Sequence, residues 1–215
     1  SKVYGQERVE GRLVISSGSL LDQQAEMVAI LREGINGIKL DNRRRFLQVI
    51  RDARVRLEQQ VHDDTESITI DRALAHVDLA GWVAENTSGI GYLQFLRELV
   101  DRAKGDWESV LSDLDHVRSL LFNKRSLLMN VTGDDIGYTM LRPELDTLYD
   151  SLPDTPLSEP KWPEPNLPRF EGFTFPSVVH YITQAGDWGR SGIEPHGSFH
   201  VAANYLSHSS LWHSL

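Results

Sequence analysis

Apolar residues recur at helical spacing over most of the first 120 positions. Ala25, Val28, Leu31 and Ile35 mark one face of a helix predicted over 21–34. A longer stripe follows, made of Phe46, Ile50, Ala53, Leu57 and Val61. Asp41 or Asn42 is placed to cap it, and its other face is rich in Arg, Gln and Glu. The pattern predicts a further helix over 67–85. Its small residues Ala73, Ala75, Ala80, Gly81 and Ala84 permit close approach of a neighbour, and Trp82 supplies bulk. Gly89 and Gly91 interrupt the periodicity, and Tyr92, Leu93, Leu96, Leu99 and Val100 begin a new face. Gly105 then ends one helix and Asp106 caps the next, since glycine suits the first and a short acceptor side chain the second. The clearest stripe is that of Trp107, Val110, Leu111, Leu114, Val117 and Leu121.

Three runs have a different period. Residues 11–16 (GRLVIS), the alternating Leu127, Met129 and Val131 before Thr132-Gly133-Asp134, and residues 175–183 (FPSVVHYIT) read as strands. Two more helices are predicted, over 141–152 with Pro143 near the first turn, and over 198–213 through Phe199, Ala202, Ala203, Leu206 and Leu211. Between them lie Pro153, Pro156, Pro160, Pro163, Pro165 and Pro168, a density that predicts an extended, semi-rigid linker. The resulting order is that of an α+β chain. Residues 173–215 are too few to bury a core alone and read as the opening of a second domain.

Charge narrows the function classes. With 22 basic and 31 acidic residues the formal charge is -9, so the chain lacks the electrostatic footprint of a nucleic-acid or anionic-membrane binder. Its one basic run, Arg43-Arg44-Arg45, falls at a helix start and reads as a solvated face. The absence of cysteine excludes disulfides, thiolate nucleophiles and Cys-based zinc sites. No segment approaches the roughly 18 apolar residues of a membrane span, and residues 1–10 lack the apolar core of a secretory signal. A polar opening and an ending on Leu211, Trp212 and Leu215 without a polar tail suggest truncation.

Candidate chemistry is sparse. Neither His-Glu-x-x-His nor its inverse His-x-x-Glu-His occurs. The nearest stretch, His62-Asp63-Asp64-Thr65-Glu66, has one residue too many before Glu and no second His. His196 and His200 are spaced to share a helix face as zinc ligands can, but no carboxylate follows at matching spacing, and surface or capping roles suit them better. His208 and His213 do not share a face. Ser16-Ser17-Gly18-Ser19 lacks the flanking glycines of a nucleophile elbow, and Gly89-Ile90-Gly91 lacks the third glycine of a dinucleotide loop. No catalytic, cofactor-binding or metal residue is therefore assigned.

Two segments carry a resemblance. Ala80-Gly81-Trp82-Val83-Ala84-Glu85, followed by Gly89-Ile90-Gly91-Tyr92-Leu93-Gln94-Phe95-Leu96, resembles the Ala-Gly-Trp-x-x-Glu and Gly-x-x-Tyr-Leu-x-Phe-Leu stretch of presequence proteases. These are pitrilysin/insulinase-like inverzincins that include falcilysin. Gly197-Ser198, Asn204-Tyr205-Leu206-Ser207 and Leu211-Trp212 are similar to that family's Gly-Ser, Tyr-Ile-Ser-Asn and Leu-Trp helix. Asn130-Val131-Thr132-Gly133-Asp134 looks like its Asn-x-Thr-x-Asp strand end, and residues 176–181 (PSVVHY) fall where it has Pro-Thr-Gln-Val-Asn-Tyr. His180 and Gly186-Asp187-Trp188-Gly189 depart from the family pattern.

The resemblance implies an α+β fold of α/β roll domains, each an antiparallel sheet with packed helices. Residues 1–152 would be the third, non-catalytic and peptidase-associated domain, 153–172 the Pro-rich linker, and 173–215 the truncated start of the fourth. It also implies a chamber-forming zinc metalloendopeptidase of presequences and other unstructured peptides, in the mitochondrial matrix or a plastid. The zinc motif and the N-terminal half of the same protein would lie upstream, and the assisting Arg and Tyr just after Leu215. Zinc would thus be bound outside this chain, and an acidic chamber wall would favour basic presequences. No nucleic acid or membrane is expected as a partner. Two other readings stay open: an inactive homologue, or a stand-alone helical interaction or scaffold domain.

Overall fold

The computed structural model describes residues 9, 11–157, 162, 166–174, 179–186, 192–194 and 196–210. A 3-10 turn at Leu21–Gln23 leads into helix α1, Gln24–Arg32, which relaxes into a π turn at Glu33–Gly37. Helix α2, Arg43–Asp63, follows Asn42, whose side chain accepts the Arg45 N–H at 3.0 Å. The same short acceptor device starts four more helices. Asp64 precedes α3 (Thr65–Leu74), Asp78 precedes α4 (Leu79–Ser88), Asp106 precedes α6 (Trp107–Leu121), and Asp134 precedes α7 (Asp135–Asp150). Gly89 opens α5, Ile90–Gly105, without a side-chain cap. Helix α8, Ser198–Tyr205, runs into a π turn at Leu206–Ser210; the rest of the predicted 198–213 helix lies outside the described residues.

The apolar stripes meet where their periodicity aims them. Ile50 of α2, Val100 and Ala103 of α5 and Val110 of α6 are buried together, with Phe46, Leu47, Leu99, Trp107 and Leu114 packed around them. Farther along the same two helices, Leu57, Leu93 and Leu96 form a second cluster with Ala53, Val61 and Tyr92. A third joins α1 to α7 through Val28, Ile35, Leu141, Leu148 and Leu152. Only the first half of the α6 stripe is covered, since Val117 and Leu121 are exposed.

The α+β expectation is overturned: among the described residues the chain is helical, with no strand and no sheet. Residues 11–16, 127–131 and 179–183 form no ladder, and 175–178 lie outside the described residues. Alternation states only how a segment would sit in a sheet; the ladder itself needs a neighbouring strand. None of these runs has one, so Val14 stays 80% exposed, while Leu127 and Val131 turn onto the α1–α7 cluster.

Helix boundaries changed in two further places. The helix expected over 67–85 is two helices, because the chain turns at 75–77 and Asp78, in an extended conformation, accepts the Gly81 N–H at 2.8 Å and starts α4 afresh. A Cβ on Gly81 would collide with the Leu74 carbonyl oxygen, so glycine is what lets α4 begin against the end of α3. Helix α7 begins at Asp135 rather than 141, because Asp134 accepts the Gly137 N–H at 2.7 Å. That places Pro143 inside the helix, where it offers no N–H to the preceding turn.

Arg43 corrects the reading of the basic run as a merely solvated face. Its Nε donates to the Ala103 carbonyl at 2.8 Å and its Nη2 to that of Lys104, satisfying the C-terminal carbonyls of α5. Asn123, fully buried just beyond α6, does similar work for the proline-rich segment. Its Nδ2 donates to the Thr155 carbonyl at 3.0 Å, its Oδ1 accepts the Arg125 N–H at 3.0 Å, and the Lys124 N–H reaches the Pro153 carbonyl at 3.0 Å. The described parts of that segment carry neither helix nor strand.

Candidate functional site

Helix α4 is apolar and small except at Glu85, and Glu85 is 1% exposed. A carboxylate in that position requires compensation, since an unpaired buried charge costs several kcal/mol. Arg72, in the last turn of α3, provides it. Its Nη1 lies 3.0 Å from Glu85 Oε2, an ion pair off the line of a well-formed hydrogen bond. Glu85 Oε1 accepts the Gly91 N–H at 2.8 Å, so the carboxylate also meets the first turn of α5.

The two glycines around this carboxylate are there for space. A Cβ on Gly91 would lie 2.7 Å from Glu85 Oε2 and 2.8 Å from Asn86 Oδ1; one on Gly89 would lie 2.9 Å from the Glu85 carbonyl oxygen. Gly89-Ile90-Gly91 is therefore a close-approach joint onto a buried carboxylate, with no phosphate-binding role required to explain it.

The remaining donors of Arg72 grip a second carboxylate 99 residues away. Nε and Nη2 each donate to Glu171, at 2.6 Å in both arms, a bidentate fork. Phe173 lies over the same guanidinium, with Cζ 5.7 Å from the ring centroid, and His76 Nε2 is 3.8 Å from Glu171 Oε2. The hydrogen bond from Arg72 holds the Glu171 carboxyl below its ordinary value of 4.5 against the opposing pull of burial, with the charges of Arg72 and His76 adding to it. The hydrogen bond to Glu171 likewise raises Arg72. The arm is thus charged at neutral pH; its contribution to stability is present above pH 4.5 and lost as pH falls through the lowered folded value.

Chemically this is a fastening. Both carboxylates are committed to a guanidinium, and the groups around them include no hydroxyl or thiol nucleophile. It ties α3, α4, the start of α5 and the segment after the prolines at one point. Glu85, Gly89 and Gly91 were prominent in the sequence as motif positions; Arg72 and Glu171 were not. The available signal was Glu85 itself, a lone charge in an apolar helix that demands a cation.

The histidines raised by the sequence do not converge. His62 and Asp63 are 3.3 Å apart and exposed at the end of α2, away from any second histidine. His196 Nδ1 lies 2.9 Å from Ser198 Oγ and accepts the Ser198 N–H, a capping arrangement at the start of α8, and His208 Nδ1 lies 2.9 Å from the Asn204 carbonyl. His200 is exposed on α8, and His213 lies outside the described residues. Ser17, Gly18 and Ser19 border a shallow groove with Gln23, Glu26, Met27 and Ile30. Among the described residues no group of three or more His, Asp or Glu could hold a metal ion, and no helix is long and apolar enough to cross a membrane.

Comparison with known proteins covers the whole chain. Residues 1–99, which include α1–α4 and the Arg72–Glu85–Gly91 joint, match the family described as Peptidase M16, subfamily C, associated. The chain is 26% identical over 213 residues to Presequence protease 1, chloroplastic/mitochondrial, of Arabidopsis thaliana, covering 99% of this chain and 20% of that protein. It is also 26% identical over 204 residues to Protein HypA of Clostridium perfringens (strain 13 / Type A), covering 94% of this chain and 21% of that protein. The chain thus spans about a fifth of the length of these relatives.

Proposed function

From the premise that this chain is a presequence-protease-like segment, related to the peptidase-associated family it matches, we propose that it serves as a non-catalytic part of a zinc metalloendopeptidase acting on presequences and other short unstructured peptides. Residues 1–152 form the peptidase-associated unit, 153–172 a connection, and 173–215 the opening of a further unit. The rest of the protein supplies the zinc, and the compartment is the mitochondrial matrix or a plastid. The described residues do not offer a zinc donor set, so no chemical step is assigned to them.

The observation that carries this reading is similarity along 99% of the chain to a protein of which it covers only 20%. Exposed apolar surface supports it. A compact monomer of 24.4 kDa exposes about 10,000 Å², whereas this chain exposes 16824 Å². Leu13, Val14, Ile15, Leu128, Ile136 and Met140 contribute apolar surface that a larger body would cover. The charge of -9 suits a wall facing basic peptides.

The test compares the full-length gene product with this chain alone, by metal analysis and by cleavage of a basic presequence peptide. Zinc and cleavage in the full-length protein, with neither in the chain, is the expected result. Cleavage by the chain alone overturns the non-catalytic assignment. A full-length product that is metal-free and inert overturns the peptidase assignment in favour of an inactive homologue.

A further inference from the structure

Glu85 and Glu171 hold one guanidinium on unequal terms. Glu85 is buried within a helix, its second oxygen is bound to the Gly91 N–H, and α4 is packed on both α3 and α5. It cannot leave Arg72 without moving helices. Glu171 sits on a segment with no helix or strand, and around its carboxylate the structure places only the Arg72 fork and His76. Phe173, two positions on, lies over the same guanidinium and is itself 45% exposed.

We propose that Arg72 is the fixed half of a latch, and that residues 169–174 are a strap it holds closed through Glu171 and Phe173. When the strap lifts, Arg72 keeps its bond to Glu85, so no buried charge is stranded and α3 and α4 stay folded. Opening therefore loses two charge-assisted hydrogen bonds and one ring contact, and nothing of the helical core. Were Glu85 absent, lifting the strap would leave the cation unpaired in a largely covered position. The buried carboxylate is what makes the outer contact reversible. Whatever follows residue 174 is positioned against the helices while the latch is closed and released when it opens. This holds whether or not the protein cuts peptides.

The test is amide hydrogen exchange on the intact protein, wild type against Glu171→Gln, which leaves the Arg72–Glu85 pair in place. Amides of 169–174 are expected to exchange about tenfold faster in the variant, and in wild type at high ionic strength, while α3 and α4 keep their protection. Unchanged exchange over 169–174 in the variant overturns the latch. So does equal acceleration of α3 and α4, because Glu171 would then be part of the helical frame rather than a releasable contact.

Discussion

Replacing Arg72 by methionine is expected to destabilise the helical core by about 3–5 kcal/mol, the range seen when one partner of a buried ion pair is removed. Methionine fills similar space but leaves Glu85 charged, 1% exposed, and bound only by the Gly91 N–H. It also frees Glu171 and removes the cation beneath Phe173. The diagnostic variant is the double replacement Arg72→Met with Glu85→Gln. A neutral amide keeps an oxygen for the Gly91 N–H and no longer needs a cation, so the double variant should regain more than half of the loss. Chemical denaturation, followed by the midpoint at unchanged slope, measures both. A single variant that loses less than about 1 kcal/mol, or a double variant no better than the single, would sink the account of Glu85 as a compensated buried charge.

Trp107→Ala is expected to cost about 2–3 kcal/mol, somewhat below the 3–5 kcal/mol of a fully enclosed aromatic. Trp107 packs on the cluster of Ile50, Val100, Ala103 and Val110, with its ring centroid 5.3 Å from that of Phe46, yet it is only partly buried. Its loss removes the contact between the start of α6 and the start of α2. Trp107→Phe retains a ring opposite Phe46 and should recover most of the loss. The same denaturation midpoints decide it, and equal losses in the two variants would show that the Phe46 contact contributes nothing.

Much of the helical frame was legible because it depends on short-range pattern. The stripe from Phe46 to Val61 and that from Tyr92 to Val100 both lie in the clusters of α2 and α5, and Gly105-Asp106 separates α5 from α6 as the side-chain chemistry requires. The break at 75–78 was not legible, since no glycine or proline interrupts that stretch. Asp78 acts as a cap only once its backbone is extended, and that follows from how closely Gly81 approaches Leu74. The strand readings failed for a different reason: alternation at 11–16 and 127–131 is a property of the segment, whereas a sheet is a property of a pair. The clasp was half visible. Glu85 and its glycines stood out as a motif, but a partner 99 residues from Arg72 leaves no periodic trace, and the proline-rich stretch between read as a spacer rather than as something fastened at both ends.

Helix α2 contributes residues to two of the three apolar clusters, and α1 and α7 to neither of them. As a single rod of 21 residues, about 31 Å long, it makes those two clusters one mechanical body, because neither can loosen without the same helix giving way. Among the described residues, the α1–α7 pair is joined to that body by little more than Phe122 and the bond from Arg118 to the Ile38 carbonyl. The molecule thus has two thermodynamic grains. Its denaturation is a sum of two transitions, and the effects of Arg72 and Trp107 belong to the one that melts α2.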